Sequence, residues 1–153
     1  MDIMVWKPHV TVAAVIERQG CFLLVEERIE GRLRLNQPAG HLEAGEDLCQ
    51  AVQREVLEET AHRFTPETLV GIYLWRHGSH GETFLRATFA GHAEGPLEGH
   101  VLDTDIQRTL WLDADQLRRR QNQWRSPLVM RAVEDYLAGH RYPLSLLVGM
   151  LEG

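Results

Sequence analysis

The sequence predicts an α/β fold, a mixed β-sheet covered on both faces by helices, and three observations carry that reading. Apolar, β-branched runs of strand length open the chain, one segment of helical period interrupts the strands, and two further helical segments close it. Residues 9–16 (HVTVAAVI) are the first strand. Gln19-Gly20 is a turn, after which residues 21–25 (CFLLV) are expected to fold back on the first strand as a hairpin. Residues 28–36 are polar and rich in arginine, and Pro38, Gly40 and Gly45 mark a loop. From 47 to 60 the period changes: Leu48, Val52 and Val56 recur every fourth residue and define one apolar helix face. Residues 69–75 and 83–89 are two more strands joined by a glycine-containing turn, and 107–112 is a short one. Asp113 caps a helix through Leu117. Ser126-Pro127 supplies the cap and first position of a last helix reaching about Ala138, and Gly139 ends it.

No repeat, low-complexity tract or linker divides the 153 residues, so one domain over 1–153 is expected. The apolar fraction of 44% and charged fraction of 25% are those of an ordinary globular chain, which removes disorder as the default. A formal charge of −6 argues against a duplex nucleic-acid partner, which needs clustered lysine and arginine. A small polyphosphate stays compatible, because a divalent metal can carry the positive charge. No stretch is long and apolar enough for a bilayer, and the first six residues, Met1 to Trp6, lack the regions of a signal peptide. Cys21 and Cys49 form neither a disulfide framework nor a metal-ligand spacing. The expectation is a cytoplasmic protein, monomeric or homodimeric, with no membrane partner.

The informative stretch is Gly40-His41-Leu42-Glu43-Ala44-Gly45-Glu46, followed by Arg54-Glu55-Val56-Leu57-Glu58-Glu59. On a helix of 3.6 residues per turn Glu55 and Glu59 stand one above the other, with Glu58 beside them. As structure alone this is a poor arrangement. Like charges three and four apart repel by roughly a few tenths of a kcal/mol per pair, and the helix dipole disfavours them in the last turn. A hard divalent cation reverses both penalties, since magnesium and manganese prefer oxygen ligands. An isolated E-x-x-E-E is ordinarily a solvated acidic face. Here a glycine-marked loop lies just upstream, and Glu46 precedes Arg54 by eight residues, so the arginine can grip a carboxylate and fix the cluster.

Gly40-x5-Glu46-x7-Arg54-Glu55-Val56-x-Glu58-Glu59 resembles nearly the whole signature of the Nudix hydrolase family. The resemblance implies a Nudix α/β/α sandwich with a loop–helix–loop catalytic element. It implies metal binding by Glu55, Glu58 and Glu59, joined by the carbonyl of Gly40, and orientation of the glutamates by Arg54 with Glu46. Lys7-Pro8-His9-Val10-Thr11-Val12-Ala13, Asn36-Gln37-Pro38-Ala39-Gly40-His41-Leu42-Glu43, Arg125-Ser126-Pro127-Leu128-Val129 and Arg141-Tyr142-Pro143-Leu144 extend it along almost the whole chain. They resemble the NudJ-type phosphatases within the family. That subgroup implies phosphate release from nucleoside tri- and diphosphates and from hydroxymethylpyrimidine and thiamine diphosphates. Two positions depart from the signature: Ala61 replaces a glycine and His62 an aliphatic residue. Alanine in a left-handed helix exit costs roughly 1 kcal/mol, and His62 is expected to face solvent or cap the helix end.

The mechanism so implied uses Mg2+, with Mn2+ as a possible substitute, to neutralise the diphosphate and lower the pKa of an attacking water. The pattern leaves the general base open. Glu58 is the first choice and Asp103 or Asp105 the second, as base or extra ligand; the latter two read first as ordinary turn acids. Candidate cations for the outer phosphate are Arg28, Arg32, Arg34, Arg86 and Arg125. Arg125 stands out because Ser126 and a helix start adjoin it. Arg32 and Asn36 are kept as substrate contacts. Trp75 either stacks on a flat ring or belongs to the core. His41 either touches substrate or metal water or fills the loop, and His9 is structural. The competing readings are a Nudix pyrophosphatase for dinucleoside polyphosphates or ADP-ribose, and a nucleotide sensor. A sensor usually loses these carboxylates, and this chain keeps them.

Overall fold

The computed structural model describes residues 4–152, and its architecture follows from where the apolar runs can pair. The strands are β1 (His9–Val15), β2 (Glu17–Arg18), β3 (Cys21–Ile29), β4 (Arg32–Asn36), β5 (Ala39–His41), β6 (Arg63–Arg76), β7 (Thr83–Glu94), β8 (Ile106–Leu112) and β9 (Tyr142–Pro143). The helices are α1 (Leu48–Thr60), α2 (Ala114–Arg118) and α3 (Leu128–Leu137). One sheet has the order β5-β1-β7-β6-β9 and is mixed, because β1 runs parallel to β7 and the other pairs are antiparallel. A second, antiparallel sheet joins β2, β3 and β4, with β8 on the other edge of β3.

The expected hairpin between residues 9–16 and 21–25 is corrected. Only β2 pairs with β3, around Gln19 and Gly20 at φ 52 and 79. β1 lies in the mixed sheet because it is buried from Thr11 onward on both faces, which suits a central strand and not a half-exposed hairpin arm. The arginine-rich segment 28–36 is also structured. β3 runs on to Ile29, turns over Glu30-Gly31 at φ 50 and 76, and returns as β4. Two successive positive φ values make the tight hairpin turn whose twist matches the flanking strands. β6 starts six residues before the apolar run at 69 and absorbs Pro66 at a bulge.

Alternation along β1 splits the core in two. Val12 and Ala14 join Ala51, Val52 and Val56 of α1, whereas Val15 joins Val129, Met130 and Val133 of α3. The two long helices therefore cover opposite faces, as a layered α/β fold requires. α1 begins with a capping box: Asp47 Oδ1 accepts from Gln50 N–H at 2.8 Å, and Gln50 Oε1 accepts from Asp47 N–H at 2.9 Å. It ends on Ala61, which sits at φ 58 in the left-handed conformation that glycine prefers. His62 does not face solvent. It is buried against Trp111, its Nδ1 bonds the Thr60 carbonyl at 2.7 Å, and its Nε2 has no partner among the described residues. No helix among the described residues is long and apolar enough to cross a membrane.

Candidate active site

The last two turns of α1 carry the acids, and β5 presses against them. Glycine at 40 is required by that closeness: a Cβ there would overlap the Glu55 carboxylate. One residue earlier the N–H of Ala39 donates to Glu59 Oε1 at 2.8 Å. Both carboxyls are consequently buried, and burial drives Glu55 up to about 7 and Glu59 up to about 9, against opposing hydrogen bonds from Arg54 and Ala39.

Arg54 holds the cluster together. Its Nε and Nη2 grip Glu46 at 3.0 and 2.7 Å, the bidentate geometry that a guanidinium offers a carboxylate. Its Nη1 donates to Glu55 at 2.7 Å and Glu58 at 3.2 Å, and Nη2 also reaches the His41 carbonyl at 2.9 Å. Glu46 in turn accepts from the Glu43 N–H at 2.8 Å. The Arg54 bonds hold Glu46 below the usual carboxylate range, and Glu46 and Glu55 hold the guanidinium well above its own. Loop, helix and β5 are thus tied through one side chain.

Carboxylate oxygens of Glu55, Glu58 and Asp103 lie within 4.8 Å of one another. Asp103 reaches α1 because its N–H donates to the Glu58 carbonyl at 3.0 Å, while its own carbonyl accepts from Ile106 N–H. An all-oxygen set this tight is repulsive without a cation and suited to a hard divalent one. Of the expected ligands, Glu55 and Glu58 are brought together with Asp103, the candidate for an extra ligand, while Glu59 accepts from the Ala39 N–H and is not one of these three. Asp105 is exposed and stays outside as well, its carbonyl accepting from Arg28 N–H at 3.3 Å.

Across β5 opens a cavity of about 190 Å³ whose lining includes Gly40, Asn36, Trp75, Phe84, Arg86 and Arg125. Trp75 stacks on Phe84 at 5.8 Å between centroids, and Phe84 on His9 at 5.1 Å, so three rings form a shelf. His41 lines the cavity too and bonds His9 Nδ1 through Nε2 at 3.2 Å. Arg32 is not brought to it: the side chain is exposed opposite Ile29, at the outer end of β4 beside the hairpin turn. Glu27, which the sequence reading passed over, lines the cavity. Burial raises its pKa, opposed by Arg125 and Arg86. It follows the apolar run 21–25 within the charged stretch Glu26-Glu27-Arg28, and no spacing singles it out.

A helix that gathers carboxylates beside a small-molecule cleft, within a layered α/β fold, fits the class of phosphoanhydride hydrolases. The NUDIX domain model matches residues 7–132, and the chain belongs to the Nudix family. It is similar to Phosphatase NudJ of Escherichia coli (strain K12), 41% identical over 142 residues that span 93% of this chain and 92% of that one. Among solved structures it is similar to a NUDIX hydrolase from Nitrosomonas europaea, with 52% identity, a TM-score of 0.93, and 96% of this chain and 100% of that chain covered. A MutT NUDIX hydrolase from Burkholderia pseudomallei has 25% identity and a TM-score of 0.70 over 85% of this chain and 98% of that chain. The chain is a Nudix-type phosphoanhydride hydrolase acting on small phosphorylated molecules.

Proposed function

We propose that the chain uses Mg2+, with Mn2+ as a possible substitute, to release orthophosphate from nucleoside tri- or diphosphates or from hydroxymethylpyrimidine or thiamine diphosphate. The observation that carries the proposal is the convergence of the Glu55, Glu58 and Asp103 oxygens beside the Gly40 edge of a cleft. The donor set fits the metal: each of the three groups is a carboxylate oxygen, and the backbone at Gly40 packs against the Glu55 carboxylate. Similarity to Phosphatase NudJ supports release of phosphate.

When bound, magnesium supplies positive charge to the diphosphate oxygens and lowers the pKa of a water. Arg54 keeps Glu55 and Glu58 aimed at one point and spends its second edge on Glu46, so the acids do not splay. Glu58, with a side chain 40% exposed against 11% for Glu55, is the group best placed to accept a proton. The water oxygen bonds phosphorus, the anhydride P–O bond breaks, and the proton passes to Glu58. Arg125 and Asn36 face the substrate, and the Trp75–Phe84 shelf takes a flat ring. Free Cys21 and Cys49 suit a reducing, cytoplasmic setting.

The test is orthophosphate release with magnesium, with chelator, and with Glu58→Gln. Loss of a general base lowers kcat by roughly 10²–10⁴. Equal rates in wild type and Glu58→Gln would remove the assignment. Nucleoside monophosphate, released from a dinucleotide faster than orthophosphate from a diphosphate, would favour the dinucleoside polyphosphate or ADP-ribose reading.

A further inference from the structure

Buried polar side chains are almost always hydrogen-bonded, so those left unpaired point to a missing partner. Among the described residues seven buried side-chain atoms have none, and four of them are Thr11 Oγ1, Asn36 Oδ1, Arg86 Nε and Arg86 Nη1, all on residues that line the cleft. An arginine in that state is the more telling, because its charge needs compensation as well as acceptors. Arg86 as a residue is only partly covered, yet Nε and Nη1 are closed to solvent and donate to nothing. Glu27 and Glu59 supply charge nearby without a hydrogen bond from it.

Strand register places these groups. Phe84 pairs with Trp75 across β6 and with His9 across β1, and Arg86, two residues further along β7, pairs with Thr11. Thr11 pairs in turn with His41 of β5, one residue from Gly40. Residues two apart on a strand share a face and lie about 7 Å from each other. The aromatic shelf and the Thr11–Arg86 pair are therefore successive steps of one surface, with Arg125 lining the same cavity.

We propose that Arg86, with Thr11 and Arg125, is a specificity-determining receptor for the terminal phosphate of the substrate. It recognises the three non-bridging oxygens and extra charge of an unesterified end, and rejects a phosphate esterified on both sides. This rests on the orthophosphate-releasing reading above and explains it: the enzyme cuts a terminal anhydride because the end group itself is read. Two guanidiniums match a terminal phosphate in charge and number of acceptors, whereas an internal phosphodiester leaves donors of Arg86 buried and unpaired.

The experiment compares a nucleoside diphosphate with the methyl ester of its terminal phosphate, which keeps base, sugar and anhydride and removes one charge. Wild type should prefer the free phosphate by roughly 100-fold in kcat/KM, and Arg86→Met should reduce that preference to below roughly fivefold. Thr11→Val, which keeps shape and removes only the hydroxyl, should lower kcat/KM for the diphosphate by roughly tenfold, with melting temperature and calorimetric Mg2+ affinity unchanged. Wild type turning over ester and diphosphate equally overturns the receptor, as does an Arg86→Met enzyme that keeps the preference. If Arg86→Met does not fold, Thr11→Val decides alone: an unchanged diphosphate rate overturns the proposal. If wild type releases no orthophosphate from any terminal diphosphate, it is the underlying functional reading that fails.

Discussion

Arg54 concentrates more of the site than any other residue, since its guanidinium contacts Glu46, Glu55, Glu58 and the His41 carbonyl. Lysine offers charge without the planar fork, so Arg54→Lys should weaken Mg2+ binding by roughly 10–100-fold in calorimetry, with little change in melting temperature. Ala61 is a liability of a different kind. It occupies a left-handed position without the freedom of glycine, so Ala61→Gly should raise stability by about 1 kcal/mol in urea unfolding and leave catalysis alone. An unchanged unfolding midpoint would show that the helix exit is relaxed despite its backbone angle. His62 shows the limit of reading one position at a time. Its polarity suggested solvent or a cap on the helix end; it bonds the Thr60 carbonyl at that end, but its ring fills a buried space beside Trp111.

Among elements, α1 was the most legible, because everything that specifies it is local. The four-residue period of Leu48, Val52 and Val56 marks its inner face within one short window, and the Asp47–Gln50 capping box that the structure adds is local too. Strands were harder, since pairing is decided at a distance. The alternation Arg32-Leu33-Arg34-Leu35 is strand-like, but its arginines read as loop until the Glu30-Gly31 turn brings it against β3. Asp103 belongs with the acids only because a loop between β7 and β8 returns to the end of α1, and no spacing in the chain encodes that return. β5 is the element most exposed to a single change. Gly40→Ala forces a methyl into the Glu55 carboxylate; activity with Mg2+ should fall at least roughly tenfold while circular dichroism stays that of wild type. A fully active Gly40→Ala enzyme would mean that β5 can retreat from the helix.

For the molecule as a whole, two carboxyls with raised pKa make metal, protons and stability one linked system. Glu55 and Glu59 titrate near 4.5 when unfolded and at about 7 and about 9 when folded without metal. The folded state thus holds the extra protons, and their stabilising effect is complete below pH 4.5. It is lost as pH rises through 7 toward 9. Metal-free protein should melt at a lower temperature at pH 9 than at pH 6, and excess Mg2+ should close most of that gap while releasing protons on binding. Calorimetry in buffers of different ionisation enthalpy counts those protons. A metal-free melting temperature that rises from pH 6 to pH 9 would contradict the burial of both acids.

The chain's final stretch has a bearing on the catalytic helix. Leu144 and Leu147 pack into the same apolar cluster as Leu48 and Cys49, and residues 146–151 share a cavity with Leu42, Glu46 and Asp47. The helix that carries the acids is therefore clamped at its far end by a strap that contributes no ligand. An enzyme cut after Pro143 would retain every carboxylate of the site and still work poorly, its acids mounted on a rod gripped at one end only.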